Sequence, residues 1–185
     1  MTAAEARAGG HLAFPVPSPV RIVRTARLML LPVGLENLAE LVRLKADARV
    51  FSTMLHGVRT PERTREELED DIDFWQVRGY GTWSVHALAD ESFLGIAGLM
   101  ERPDGRGVAL RYALWPEVRG CGYAREAAAA AVGFGHHAGL PRIIAIARET
   151  NAPSRAVLAD IGMRESGEYR YQGQRMLVFE SLAAP

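Results

Sequence analysis

Two glycines just before an alanine-rich segment are the residues whose types and spacing most directly suggest chemistry. The loop Val118-Arg119-Gly120-Cys121-Gly122-Tyr123-Ala124 follows an alternating apolar run at 108–114 and precedes a run of alanines at 127–131. This order predicts a strand, a glycine loop and then a helix. Glycine allows a backbone to approach a ligand closely, and the first turn of a helix presents unpaired N–H groups and a partial positive charge. The sequence therefore predicts an anion site, best suited to phosphate.

The glycine loop differs from two common phosphate-binding loops. No Gly-Lys-Ser/Thr follows it, so it is not a Walker loop. A Rossmann fingerprint requires a third glycine, and Arg125 occupies that position. Because Gly-x-Gly is a weak signal by itself, a plain tight turn between a strand and a helix stays open as an alternative.

Three motifs taken together resemble the GCN5-related N-acetyltransferase (GNAT) family. Arg119, Gly122 and Ala124 meet the signature Arg/Gln-x-x-Gly-x-Gly/Ala. The segments Asn151-Ala152-Pro153-Ser154 and 158–163 resemble the second motif, Asn-x-x-Ser followed by Leu-x-x-x-Gly-Phe. Near the start, 25–30 resembles the opening strand of the RimJ/RimL-type branch. The order and spacing of these motifs are specific, and the resemblance covers nearly the whole chain.

The resemblance implies an α+β acetyltransferase fold. Its central sheet is expected to be mixed but mostly antiparallel, with about six to seven strands splayed in the middle and about four flanking helices. The implied activity is transfer of an acetyl group from acetyl-CoA to a primary amine by direct attack in a ternary complex. The amine is expected to be a protein N-terminal α-amine or a small-molecule amine. A catalytically weak acyl-CoA-binding or regulatory module is the alternative.

Hydrophobic periodicity and turn residues predict a single domain at 21–185, preceded by a flexible arm at 1–20. The arm is rich in Ala, Gly and Pro, and its alternative role is to dock at a homodimer contact. The predicted strands lie at 22–30, 83–87, 93–100, 108–114, 143–147, 167–172 and 176–181. The predicted helices lie at 35–46, from Pro61 onward, at 122–138 and from Pro153 to Ile161.

The resemblance also implies where acetyl-CoA binds, in the gap between the strand ending at Leu114 and the strand at 143–147. The pantetheine arm is expected to pair with the backbone at 113–115, and the diphosphate to bind the N–H groups of 119–124. Three arginines are expected to add charge-assisted bonds, each with a surface position as its alternative. The expected cofactor-binding residues are Leu114, Trp115, Val118, Arg119, Gly120, Cys121, Gly122, Tyr123, Ala124, Arg125, Asn151, Ser154 and Arg155.

By resemblance, Ser154 is the expected catalytic residue. Many family members use a tyrosine seven residues after the asparagine, and Leu158 stands there. The Asn-x-x-Ser serine is a proposed substitute that stabilises or protonates the leaving thiolate. A helix cap is the alternative role for Ser154, as it is for Asn151.

The general base is not assigned, because the two positions where the resemblance implies a carboxylate hold Ala109 and Arg175. Glu101 and His86 are fallback candidates. Without a carboxylate, an α-amine with a pKa of about 7.7–8.0 is a better acceptor than a lysine amine at about 10.4.

Composition excludes several other classes of function. Lys+Arg and Asp+Glu number 22 each, so bulk charge predicts neither a nucleic-acid nor a membrane partner. The single cysteine, Cys121, permits no intrachain disulfide and favours a reducing, cytoplasmic location. No histidine base is expected near Cys121, so we predict no covalent intermediate, and the histidine spacing predicts no metal site. An acidic run at 66–73 is expected to be a solvated helix face, with attraction of a cationic amine as the alternative.

Overall fold

Both helices and strands occur in the part of the chain that the computed structural model describes, residues 21–54 and 56–184. The strands are β1 (Val23–Arg24), β2 (Leu28–Pro32), β3 (Thr82–Ala87), β4 (Phe93–Glu101), β5 (Val108–Leu114), β6 (Arg142–Arg148), β7 (Arg164–Tyr171) and β8 (Gln174–Leu182). The helices are α1 (Leu38–Ala46), α2 (Ala48–Phe51), α3 (Pro61–Arg78), α4 (Tyr123–His137) and α5 (Ala152–Asp160), with 3-10 turns at Leu35–Asn37 and Pro116–Val118. The predicted arm at 1–20 lies outside the described residues.

All the described strands form one sheet in the order β1-β2-β3-β4-β5-β6-β8-β7. Neighbouring strands are antiparallel except β5 and β6, which are parallel, so the α+β class and the mixed, mostly antiparallel sheet are confirmed. The described residues contain eight strands and five helices, which is one strand more than the upper prediction of seven and one helix more than the predicted four. The first predicted strand is divided by a turn in which the Thr25 N–H donates to the Leu28 carbonyl at 2.9 Å. The extra helix, α2, begins where Asp47 caps the N–H of Arg49.

The sheet opens between β5 and β6. These strands pair at a single position, Ala109 with Ile144, whereas β4 and β5 stay paired from Gly95–Leu114 to Glu101–Val108. Beyond Ala109 the carboxyl ends of β5 and β6 diverge, which confirms the predicted splay. We call the space between 110–114 and 145–148 the opening.

The two faces of the sheet are covered differently around the opening. Because side chains alternate along a strand, Leu110, Tyr112 and Leu114 share one face of β5. They belong to the same hydrophobic cluster as the small buried residues of α4, which let that helix approach the sheet closely. We call this the α4 face. The opposite face of β5 carries Arg111 and Ala113, and Ala113 packs in a separate cluster with residues of α1 and α2. We call this the α1 face.

Candidate functional site

Two hydroxyl groups meet where α5 begins beside the opening. The phenol oxygen of Tyr112, on β5, lies 2.9 Å from Ser154 Oγ and 3.3 Å from the Ser154 carbonyl oxygen. Tyr112 is mostly buried, and burial raises the pKa of its phenol above the ordinary value of 10.0. The phenol therefore stays protonated at neutral pH and is available as a hydrogen-bond donor. Sequence reasoning placed Tyr112 on the strand but gave it no role in the site.

The cap of α5 is Asn151, and Ser154 is not the cap. The Asn151 side-chain oxygen accepts a hydrogen bond from the Ser154 N–H at 3.1 Å, which satisfies one of the unpaired donors of the first turn. The alternative that Ser154 caps the helix is therefore wrong, because its Oγ bonds Tyr112 instead. Leu158, at the position of the family tyrosine, is 1% exposed and belongs to the core. Ser154 is therefore the hydroxyl of α5 that lies beside Tyr112.

The glycine loop has the backbone shape that its composition predicts. Gly120 and Gly122 have φ of 78° and 79°, the left-handed conformation that side chains resist. The N–H groups of Val118 and Arg119 are already paired, with the carbonyls of Trp115 and Pro116. Within the described residues, the N–H groups of 120–124 have no acceptor. An anion would therefore find its donors at 120–124, one residue fewer than the expected 119–124.

An arginine from the turn before β2 holds the glycine loop from one side. The Arg27 Nη1 group donates to the Cys121 carbonyl at 2.8 Å, and its guanidinium lies 4.6 Å from the centre of the Tyr123 ring. Its Nε and Nη2 groups bind the Glu126 carboxylate at 2.8 and 2.7 Å. Because C=O and N–H point in opposite directions across a trans peptide, the Gly122 N–H points away from Arg27. Sequence reasoning used Arg27 only as part of a family motif.

Glu126 completes this contact. One carboxylate oxygen accepts from Thr25 Oγ1 at 2.6 Å and from the Arg27 N–H at 2.9 Å. Burial alone would raise the pKa of Glu126, but these hydrogen bonds and the Arg27 charge together hold it below the ordinary value. The carboxylate is therefore ionised at neutral pH and fixes both the turn before β2 and the start of α4.

The three arginines expected to bind phosphate have protein partners in this structure. Arg119 Nη2 donates to the Arg49 carbonyl at 2.9 Å, which ties the loop to α2. Arg125 lies 3.7 Å from Asp160 on the surface. Arg155 Nη1 donates to the Glu149 carbonyl at 3.0 Å. The structure therefore shows these arginines fixing the loop, α4 and α5 to their neighbours.

Fewer residues at the end of β5 offer their backbone to a ligand than expected. The Trp115 N–H donates to the Leu94 carbonyl at 2.9 Å, on the β4 side. Since successive residues of a strand point their N–H and C=O groups to opposite sides, those of Leu114 face the opening. Of the expected stretch 113–115, Leu114 is thus the residue that offers its backbone to a ligand in the opening.

The α1 face carries a buried carboxylate that corrects one expectation. Asp71 lies three residues after Leu68 and four before Trp75, which puts it on the buried stripe of α3 instead of a solvated face. Burial raises its pKa above the ordinary value of 3.8, against the nearby charges of Arg111 and Lys45. Arg111 Nη2 lies 3.9 Å from Asp71 Oδ1, and its side chain is 46% exposed. Of the acidic run, Glu66, Glu69, Asp70 and Asp73 are exposed.

The fallback bases do not border the opening. Glu101 pairs with Val108, before the Ala109 position where β5 and β6 meet, and binds Arg78 at 3.0 Å. His86 lies on β3, between β2 and β4. Its Nδ1 atom is 3.2 Å from the Glu91 carbonyl. Neither side chain therefore lies where an amine in the opening would lose its proton.

Room for a ligand exists on the α1 face beside the glycine loop. A cleft of about 420 Å³ lies between α1, α2, the start of β4 and the turn after β5. It is lined by Arg43, Arg49, Ser92, Phe93, Leu94, Trp115, Glu117 and Val118. Arg43 lies 6.0 Å from the centre of the Trp115 ring. This cleft therefore combines aromatic surface with cationic groups.

Other potential chemistry is sparse in the described part of the chain. Cys121 is exposed, and its Sγ has the Arg119 carbonyl at 3.8 Å as a weak acceptor. His136 and His137, at the far end of α4, bind Leu140, Ser181 and Gly133. Over residues 21–54 and 56–184, no group of three or more metal-ligating side chains is close enough to hold a metal ion. Over the same residues, no helix is long and apolar enough to cross a membrane.

Comparisons with known proteins give a family match and several structures of similar fold. A family model described as "Acetyltransferase (GNAT) domain" matches residues 27–164. An acetyltransferase from Agrobacterium tumefaciens str. C58 has a TM-score of 0.76 at 25% identity, covering 92% of this chain and 96% of that chain. A RimL ribosomal L7/L12 alpha-N-protein acetyltransferase in complex with coenzyme A has a TM-score of 0.73 at 19% identity, covering 87% and 97%. A ribosomal-protein-S5-alanine acetyltransferase from Vibrio fischeri has a TM-score of 0.73 at 18% identity, covering 88% and 96%.

Proposed function

Because the chain belongs to the GNAT family of acetyltransferases, we propose that it transfers the acetyl group of acetyl-CoA to a primary amine by direct attack in a ternary complex. One observation carries the proposal: the opening between β5 and β6 lies beside a glycine loop whose N–H groups at 120–124 have no acceptor among the described residues. A diphosphate needs several converging donors, and a backbone supplies them without loss of side-chain entropy. The pantetheine arm would then run along the opening past the backbone of Leu114.

The transfer would need little from the protein beyond placement and stabilisation of the leaving group. The amine nitrogen forms a bond to the carbonyl carbon, the carbon–sulfur bond breaks, and the electron pair stays on sulfur. The proton that the nitrogen loses reaches the thiolate through water. A thiol with a pKa of about 8.5, as for cysteine, is a fair leaving group even unaided. Ser154, beside the opening, is the proposed donor of a hydrogen bond to the developing thiolate.

The acceptor is proposed to be an α-amine or another amine of low pKa. Arg111 follows Ala109 on the α1 face of β5, and nearly half of its side chain is exposed. A cation at this place lowers the pKa of a nearby amine and disfavours its ammonium form. An α-amine at about 7.7–8.0 supplies the neutral form more readily than a lysine at about 10.4. Two structural neighbours are named for acetylation of ribosomal proteins, one of them for an alpha-N position.

Release of free thiol from acetyl-CoA tests the proposal. The acceptors are a peptide with a free α-amine, the same peptide with a blocked α-amine and one lysine, and a small primary amine. We expect thiol release with the free α-amine peptide or the small amine, and much less with the lysine peptide. Binding of acetyl-CoA without thiol release for any acceptor would favour a catalytically weak acyl-CoA-binding module.

A further inference from the structure

The hydroxyl pair formed by Tyr112 and Ser154 joins the serine of the Asn-x-x-Ser motif to a strand tyrosine that had no predicted role in the site. Tyr112 reaches from β5 across the mouth of the opening to the first turn of α5. Its phenol oxygen has the two oxygen atoms of Ser154 in range, Oγ at 2.9 Å and the carbonyl oxygen at 3.3 Å. A packing role alone would not require these contacts, since the Tyr112 ring already packs against the core cluster.

We propose that Tyr112 is a positioning residue that orients and polarises the Ser154 hydroxyl toward the sulfur of the leaving thiolate. This inference rests on the proposed function, because it assigns Ser154 its direction within that reaction. Tyr112 supplies from β5 the phenol that many family members have on the helix, at the position of Leu158.

The direction of the hydrogen bond follows from acidity. A phenol is a stronger acid than an aliphatic alcohol, and Ser154 Oγ at 2.9 Å is closer to the phenol oxygen than the competing Ser154 carbonyl oxygen at 3.3 Å, so the favoured arrangement has Tyr112 donating to Ser154 Oγ. Ser154 then accepts at its oxygen and keeps its own proton free to donate to a third group. A hydroxyl that accepts one hydrogen bond becomes a stronger donor of its own, because hydrogen bonds in a chain polarise one another. If Ser154 instead donated to Tyr112, its proton would be turned away from the opening.

The thiolate is stabilised without taking the phenol proton. The thiol has a pKa of about 8.5, below the roughly 10 of an unperturbed phenol. Burial raises the pKa of Tyr112 further, so proton transfer from Tyr112 through Ser154 to sulfur would be uphill. The pair therefore donates a hydrogen bond to the developing charge. The proton that the thiolate finally takes is the one that the attacking nitrogen loses as the amide forms, passed on through water, which balances the reaction.

A double-mutant cycle in kcat tests the inference. Tyr112→Phe removes the phenol oxygen and keeps the ring that packs in the core. We expect it to lower kcat by roughly threefold to tenfold, as for one hydrogen bond, with the KM for acetyl-CoA unchanged. Ser154→Ala is expected to lower kcat by roughly tenfold to a hundredfold. Because Tyr112 acts through Ser154, adding Tyr112→Phe to Ser154→Ala should have no further effect on kcat.

Matched controls separate positioning from structure. Tyr169→Phe deletes a phenol on β7 that lies 3.5 Å from Arg102, in the turn before β5 and so at the opposite end of β5 from Leu114, and should leave kcat unchanged. Melting temperatures on the same preparations report any loss of fold. Additive effects of the two changes on kcat, or a Tyr112→Phe enzyme with unchanged kcat, would overturn the positioning role. Failure of the wild-type protein to release thiol with any amine would instead overturn the proposed function itself.

Discussion

Replacing Arg27 by Ala should weaken CoA binding by reducing only the contribution of the diphosphate. The change removes the hydrogen bond to the Cys121 carbonyl and the ion pair with Glu126. A hydrogen bond from a charged donor contributes about 1.5–3 kcal/mol, whereas an ion pair as exposed as this one adds about 0–1 kcal/mol. Since part of the loop geometry is kept by Arg119, we expect a net loss of about 1–2 kcal/mol in binding. That corresponds to a dissociation constant for CoA roughly fivefold to thirtyfold higher.

Calorimetric titration with two ligands makes the Arg27 prediction specific. CoA carries the diphosphate and pantetheine lacks it, so Arg27→Ala should weaken CoA and leave pantetheine unchanged. Arg24→Ala is the matched control, because Arg24 is exposed on the neighbouring strand β1 and has no side-chain bond within the described residues. An equal loss for both ligands would mean that Arg27 supports the whole domain. Unchanged CoA affinity would refute the idea that Arg27 shapes the loop.

Three further predictions address the loop and α3. Gly122→Ala and Gly120→Ala should each cost about 1–2 kcal/mol of stability for a side chain at positive φ. Gly122→Ala should lose more CoA affinity, because its Cβ would lie 3.4 Å from Arg27 Nη2 whereas nothing lies within 4 Å at Gly120; equal titration losses would contradict this. Cys121→Ala should keep most activity, and complete inactivation with CoA binding intact would indicate a covalent step. Asp71 has a raised pKa in the folded state, so its contribution to stability falls as pH rises above 3.8. As pH rises, the melting temperature of Asp71→Asn should therefore increase relative to that of the wild type. A difference that does not change with pH would count against burial of the Asp71 carboxylate.

Much of the fold could be predicted from the sequence because the relevant signals are local. Alternation predicts β3, β4 and β5, and Pro61 after Thr60 marks the start of α3, where Thr60 Oγ1 accepts from the Arg63 N–H. The glycine loop predicts the start of α4. The extra helix α2 was missed because four residues carry too little periodicity to distinguish a helix from a loop.

The site could be predicted only where its residues are contiguous in sequence. The positions of Gly122 and Ser154 follow from short motifs. The roles of Arg27 and Tyr112 do not, because Arg27 lies 99 residues from Glu126 and Tyr112 lies 42 residues from Ser154. Such contacts depend on which strands are neighbours and on how far β5 and β6 diverge. The burial of Asp71 was not predicted, because in a run of carboxylates the sequence does not show which one lies on the buried side of α3.

The two faces of the opening differ in charge, and on the proposed function this difference sets the direction of attack. The α4 face is closed by apolar packing and ends in the two hydroxyls that would meet the sulfur. The α1 face carries Arg111 and the cleft beside Trp115, so it is the side with room for an acceptor. An amine arriving there meets a cation before it meets the thioester, which selects for the neutral form. Of the carboxylates on this side, Glu117 lines the cleft but pairs with Arg49 at 2.8 Å, and Asp71 is buried beside Arg111. On the proposed function, the protein would therefore rely on the low pKa of its acceptor.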